Sequence, residues 1–507
     1  MDDQRDVVAF LSDGASYGTP GAAVERVVTH CSIIFLAGER AFKLKRAVRF
    51  SYLDYSTLAL RERFCRAEFA LNRRTAPEIY LGVRSINRDS RGPLALDGEG
   101  PVVDWVVEMR RFAEESLFSR MAEAGRLTPA LLRSLADIIA DFHASAEVIG
   151  SRGGHAGLAA AVATNDDNLR LAAPPLDRGL IDRLRDASAA RLDGIGPLLD
   201  ARREHGRVRR CHGDLHLRNI CLFGGRPTLF DCIEFNDAFS CIDVLYDFAF
   251  LLMDLMHRGL DDLANLVFNR YLDRTGDSEG LPALPLFISA RAAVRAHVLG
   301  ILARPDNDTE AAEPRSYLEL ALASLAEESP RLIAIGGLSG SGKSTLAQAL
   351  AAGFRPAPGA RVIRSDVVRK RLMQVPPETR LPRESYTPAA SREVYETLNR
   401  EAATTLAAGY TAIVDAAFLR ADERQAIAAV ARDAGVPFAG LWLEAPAELL
   451  ARRIEARRND ASDADRAVLE LQLGMDPGPL DWQRIDAASE TTSMLAAARL
   501  AALRSLG

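Results

Sequence analysis

Beyond residue 300 this 507-residue chain has no cysteine and no histidine. That absence denies its C-terminal part thiolate nucleophiles, imidazole bases and the usual zinc ligands, so any chemistry there falls to carboxylates, lysine, arginine or hydroxyls. The six cysteines (Cys31, Cys65, Cys211, Cys221, Cys232 and Cys241) contain no CxxC pair and no zinc-type spacing, which excludes a structural zinc motif. Four of them, with His212 and His216, fall between 211 and 241, and they read as inert thiols around a loop rather than as metal ligands. No run of eighteen apolar residues occurs, and the start, MDDQRDVVAF, is acidic with no apolar segment of signal-peptide length. A cytoplasmic soluble protein without a membrane partner is expected. Positive charge is not in excess either: 63 Lys and Arg face 69 Asp and Glu, net −6, so no nucleic-acid partner is expected.

Apolar residues make up 48% and charged residues 26%, a balance suited to packed cores. The length has room for two of them. The most informative stretch is Gly337-Leu338-Ser339-Gly340-Ser341-Gly342-Lys343-Ser344, which fits G-x-x-x-x-G-K-[ST] throughout. An apolar β-rich run, 331–336, precedes it, and a helical pattern, 344–354, follows. Strand, glycine loop and helix in that order aim backbone N–H groups and a helix dipole at a polyphosphate. Lys343 then reaches the β- and γ-phosphates and the Ser344 hydroxyl ligates Mg²⁺; the plain alternative is a glycine-rich turn before a helix.

Further strand patterns at 360–366, 410–415 and 438–444, with helical runs between, predict an α/β P-loop NTPase domain with a parallel sheet over 329–507. Ligands sit at the carboxyl ends of such strands, which places Asp366 and Asp415 at the site. Arg453 and Arg457, four apart on one helix face, are candidates to close over a transferring phosphate. An apolar run ending in Asp-Glu is missing, since Ala416 follows Asp415; this favours a kinase over a motor ATPase. The domain resembles small-molecule P-loop kinases of the gluconate and shikimate type, and also the zeta-toxin and chloramphenicol phosphotransferase group. The resemblance implies Asp366 as base for an acceptor hydroxyl, Arg369 as an acceptor contact, and Arg453 and Arg457 as lid arginines.

The N-terminal part reads as strands 24–30, 32–36 and 40–45, a helix 56–75, strands 80–86 and 102–109, and then mostly helices, including 127–147 and 177–205. This is an α+β pattern with a small sheet-rich lobe and a larger helical one. His212-Gly213-Asp214-Leu215-His216-Leu217-Arg218-Asn219 is followed twelve residues on by Asp231. Such spacing suits a phosphotransferase loop in which Asp214 takes a hydroxyl proton while Asn219 and Asp231 hold Mg²⁺. This segment resembles the aminoglycoside phosphotransferase and choline kinase branch of the protein-kinase-like fold, whose loop reads H-G-D-x-x-x-x-N. That likeness implies a two-lobed domain over 1–328, with Lys43 on ATP phosphates and Glu68 as its ion-pair partner; Lys45 and Glu62 are the rival choices. Two departures stand out: Cys232-Ile233 follows Asp231 in place of Phe-Gly, and Thr29-His30-Cys31-Ser32 stands where a G-x-G-x-x-G is expected. Asp247 is expected to brace the loop, and His143 to be a packed helix residue. Asp237 and Asp243 are spare acids that would suit a cationic acceptor or equally be ordinary surface charge.

A polar, breaker-rich stretch, 304–314, is expected to be a linker, with a helical run at 317–328 and the domain boundary near 329. The order of parts resembles the bacterial family described as bifunctional aminoglycoside phosphotransferase/ATP-binding protein. It implies ATP and Mg²⁺ as cofactors, a small-molecule acceptor, and two kinase sites. The alternative is one active P-loop kinase, of ordinary or toxin-like kind, beside an N-terminal half that is a regulatory or substrate-binding module.

Overall fold

The computed structural model describes every residue except 1–2, 51, 90–91, 173–175, 305–307, 457–460 and 505–507. Two compact units emerge, one of residues 1–158 and 199–254, the other of 159–198 and 255–507.

The first unit is built on a six-stranded antiparallel sheet in the order Glu25–Val28, Ser32–Ala37, Arg40–Lys45, Val102–Arg110, Tyr80–Arg88, Leu94–Leu96. Alternation along Arg40–Lys45 sends Phe42 and Leu44 into one core with Phe35, Ile86 and Val106. Ala41, Lys43 and Lys45 take the other face, where Ala41, Val107 and Met109 pack with Cys65 and Tyr80. The expected helix 56–75 runs over Leu58–Asn72 and is started by Thr57, whose hydroxyl accepts the Leu60 N–H. Its inward face buries Cys65, Glu68 and Asn72, so a carboxylate enters the same layer as the two strand lysines. The helix Pro129–Ser145 and the hairpin Ile220–Phe223 with Arg226–Leu229 frame the His212–Asn219 loop.

The second unit carries a five-stranded sheet, all parallel, ordered Arg361–Arg364, Ala412–Asp415, Leu332–Gly337, Phe438–Glu444, Gln483–Asp486. Its centre strand is buried along its whole length, as a parallel sheet covered on both faces requires. Leu346, Leu350 and Met494 pack on one face, and Val394, Leu398 and Ile427 on the other. Two sequence expectations change here. The strand expected to reach Asp366 stops at Arg364, and Asp366 lies in the first turn of the helix Ser365–Leu372. Much of the expected linker is helix, Asp308–Ser324 with Pro314 inside it, because Ala311, Pro314, Leu318 and Ala321 share one buried stripe. Ser278–Leu302 is long and apolar enough to cross a membrane, but 72% of its apolar window is buried inside the protein.

The edge strand Arg361–Arg364 is covered by the helix Asp261–Thr275. Asn265, Asn269 and Asp273, spaced by four, form one stripe along it. The Asn265 amide donates to the carbonyls of Pro358 and Ala360 at 3.1 and 3.0 Å, and Asn269 Oδ1 accepts the Val362 N–H at 2.7 Å. Arg361, buried at the strand's start, pairs with Asp273 at 2.6 Å. Side-chain amides thus satisfy an edge that would otherwise be open for pairing.

Candidate active sites

In the first unit, three segments far apart in sequence converge. Lys43 Nζ lies 2.9 Å from Glu68 Oε1 and 2.5 Å from Asp231 Oδ1. The rivals divide: Glu62 is on the surface with Arg66, whereas Lys45 joins the cluster, with its Nζ 2.6 Å from Glu68 Oε2. Burial opposes charge on Glu68, yet the two lysines outweigh it and hold its carboxyl below the ordinary range; burial likewise opposes charge on the lysines, and their carboxylate partners keep them protonated. Asp231 adopts φ 60°, a left-handed conformation unusual outside glycine, and its N–H donates to the Tyr80 hydroxyl. Its side chain is 42% exposed and can take a cation.

The loop behind it is fixed from beneath. Asp247 accepts the N–H groups of His212 and Gly213 at 3.0 and 2.7 Å, the bracing expected of it, and His143, buried, meets the same carboxylate at 3.1 Å. His212 is fully buried, and burial lowers its pKa; its Nε2 faces the Phe230 carbonyl at 2.9 Å. Asn219 Nδ2 donates to Asp214 Oδ2 at 2.8 Å, leaving Oδ1 as the Asn219 atom able to ligate a cation. His216, to which the sequence reading assigned no role, stands 3.3 Å from the same Asp214 oxygen. The spare acids are not spare. Asp243 is buried in a two-point pair with Arg202, and Asp237 pairs with Arg210.

In the second unit the glycine loop has the shape its sequence predicts. Gly337, Gly340 and Gly342 all have positive φ, and a Cβ on Gly337 or Gly340 would lie 2.6 Å from the carbonyl oxygen of Leu443 or Leu450 respectively. Gly342 caps the helix Lys343–Ala351, and no atom of the described residues lies within 4 Å of where its Cβ would be. Ser341 Oγ is buried without a hydrogen-bond partner among the described residues, and the Lys343 ammonium rests on the carbonyls of Gly337 and Leu338. Ser344 Oγ lies 2.5 Å from Asp415 Oδ2. A backbone cradle, a cation at its lip and a hydroxyl–carboxylate pair fit a polyphosphate with Mg²⁺. Gln472, on the helix Arg466–Leu473, accepts the Ser339 N–H at 2.8 Å; no motif pointed to it.

Asp366 stands near this pair. Burial raises its pKa, Arg364 opposes, and the neighbouring Asp415 adds to the rise. Arg369 is buried, donating to the Ser385 carbonyl and lying over the Tyr386 ring, so it shapes the wall beside Asp366. Arg453 donates to the Ala487 carbonyl; Arg457 lies outside the described residues. Asp463 gathers Lys370, the Tyr386 hydroxyl and the Leu381 N–H, a hub with no sequence signature.

Known proteins match in the same order. The model described as Phosphotransferase enzyme family covers residues 95–284 and that described as AAA domain covers 332–475. Uncharacterized proteins of Mycobacterium tuberculosis (strain ATCC 25618 / H37Rv) and Mycobacterium bovis (strain ATCC BAA-935 / AF2122/97) are 31% identical over 471 residues, 91% of this chain and 91% of theirs. Among solved structures, a thermostable mutant of an aminoglycoside phosphotransferase is similar at 14% identity, covering 63% of this chain and 99% of its own, with a TM-score of 0.38. A gluconokinase from Sinorhizobium meliloti 1021 is similar at 25% identity over 34% of this chain and 95% of its own, with a TM-score of 0.24. The chain belongs with the mycobacterial proteins to one family of phosphotransferases, in which an aminoglycoside phosphotransferase-like domain is followed by a P-loop kinase domain.

Proposed function

We propose that the chain carries two ATP-dependent kinase sites, each transferring the γ-phosphate to a hydroxyl of a small molecule such as a sugar, a polyol or an aminoglycoside-like compound. The observation that carries this reading is the convergence of Lys43, Glu68 and Asp231 in a chain that also holds a complete glycine cradle at 337–344. In the first site, Lys43 binds phosphate oxygens, Asn219 and Asp231 supply cation ligands, and Asp214, oriented by Asn219 and His216, accepts the acceptor's hydroxyl proton. In the second, the loop N–H groups and Lys343 bind the phosphates, Ser344 and Asp415 hold the cation, and Asp366 takes the proton. Mg²⁺ bound at either site would neutralise charge on the phosphoryl group in transfer. Asp243 and Asp237 are already paired, so they lend no support to a cationic acceptor.

Asp214→Asn is expected to lower transfer by the first site by about 10²- to 10⁴-fold while sparing nucleotide binding. Unchanged turnover, measured as ADP release with an acceptor found by screening metabolites and antibiotics, would remove Asp214 from the chemistry. One observation favours a second reading, a first unit that binds without turnover: the turn at 29–32 has no glycine to approach phosphates closely. Nucleotide binding without ADP release across the whole panel would support it.

A further inference from the structure

Next to the Lys43 ammonium lies a second ion-paired lysine that neither proposed reaction uses. Lys45 is two residues further along the same strand face and 1% exposed, too deep to touch a nucleotide. Its ammonium contacts Glu68 Oε2, the Glu234 carboxylate and, at 3.3 Å, the Tyr55 hydroxyl. Tyr55 in turn donates to Glu234 Oε1 at 2.6 Å. Glu68 therefore gives one oxygen to each lysine. The segment 231–234 is tied to the strand twice, by Lys43 through Asp231 and by Lys45 through Glu234.

The two ties differ in what they can release. Asp231 is 42% exposed and Lys43 12%, whereas Lys45 and Glu234 are 1% and 5% exposed. When Lys43 turns to a phosphate, its hold on Asp231 weakens, and Asp231 is already in a left-handed conformation that the surroundings must maintain. A buried pair three residues on, closed by a tyrosine hydroxyl, keeps that segment in register. We infer that Lys45, Glu234 and Tyr55 are positioning residues of the first site, holding Glu68 and the segment 231–234 fixed while Lys43 passes from Asp231 to a nucleotide phosphate. The inference rests on the proposal that this unit binds nucleotide.

The test uses the full chain carrying Lys343→Ala, which silences the glycine cradle, and follows binding of a non-hydrolysable ATP analogue by calorimetry over a series of Mg²⁺ concentrations. Glu234→Gln and Lys45→Met should each raise the Mg²⁺ needed for half-saturation by about tenfold or more. The double variant should be no worse than the worse single change, since both break one pair. Lys45→Arg should recover most of the loss, which a purely packing role would not produce. Where Lys45→Met does not fold, Tyr55→Phe is decisive, because it removes one hydroxyl and should still shift the Mg²⁺ dependence. Binding by the parent with an unmoved Mg²⁺ dependence in Glu234→Gln and Tyr55→Phe overturns the positioning role alone. A parent that binds no analogue overturns the two-site reading, and this role with it.

Discussion

The two candidate phosphate sites are made in opposite ways. In the first unit the candidate groups are side chains: Lys43 and Asp231 meet although they are 188 positions apart in the chain, and each charge is answered by another. In the second, the candidate cradle is eight consecutive residues of backbone, turned where Gly337, Gly340 and Gly342 take positive φ, with Asp415 meeting its last residue from a neighbouring strand. Charge follows the same division. Glu68 is held low by two lysines, whereas Asp366 is pushed up by burial and by Asp415. A site made of distant charges depends on everything that keeps its segments in register; a site made of backbone depends on one loop and on the strand beside it.

The largest expected effect comes from removing one cation from each design. Lys343→Ala should weaken nucleotide binding at the cradle by about 10²-fold or more, so that titration with a non-hydrolysable ATP analogue and Mg²⁺ falls from two per chain to one. Asp231→Ala should remove the other site and leave Asp366-dependent transfer intact. Loss of both sites from either change would break the comparison and point to a single composite site.

A smaller effect tests how far the second design relies on its surroundings. Asp273→Ala leaves Arg361 buried at the start of the edge strand without its 2.6 Å partner, a loss of about 3 kcal/mol. Denaturation should show the unit containing 255–507 destabilised by that amount, whereas Glu62→Ala, which loses an exposed pair with Arg66, should cost about 0.5 kcal/mol or less. Equal costs would mean that the helix Asp261–Thr275 merely rests on the strand.

What was legible in the sequence follows from the same contrast. The glycine cradle could be read whole, because contiguous residues make it and each glycine has a local steric cause. The loop from His212 to Asn219 could be read by spacing. Lys43 could not be told from Lys45, since alternation puts both on one face, and only the three-dimensional positions of Glu68 and Glu234 show that both are ion-paired. Glu62 and Glu68 lie on one helix, and burial, not spacing, separates them. Gln472 and Asp463 were invisible because their partners are a backbone N–H and scattered side chains. The breaker-rich stretch 304–314 did not show its helix, because Pro314 is carried inside Asp308–Ser324 by a buried apolar stripe that composition alone does not display.

The finest difference is in acidity. The pKa of Asp366 is raised in the folded chain, by burial first and by Asp415 against the pull of Arg364. A base must be ionised, so as pH falls the second site should lose transfer at a pH above the ordinary carboxylate range. Glu68 has the opposite sign: the two lysines outweigh burial, and its pairing persists until pH falls below that range. The stability consequences are opposite as well. The ionised form of Glu68 stabilises the fold above its unfolded pKa, and this is lost as pH falls through the lower folded value. Asp366 favours the fold when protonated, so its charge at neutral pH is a cost to stability. Asp366→Asn should therefore abolish transfer by the second site at pH 7 while leaving the thermal midpoint equal or higher. The measurement is the initial rate of ADP release against pH in the Asp214→Asn chain, which isolates the second site, beside melting curves for Asp366→Asn. An acid limb at the ordinary carboxylate value, or a lowered midpoint in Asp366→Asn, would show that Asp366 is held as an ordinary paired carboxylate. The two units would then share one way of handling charge.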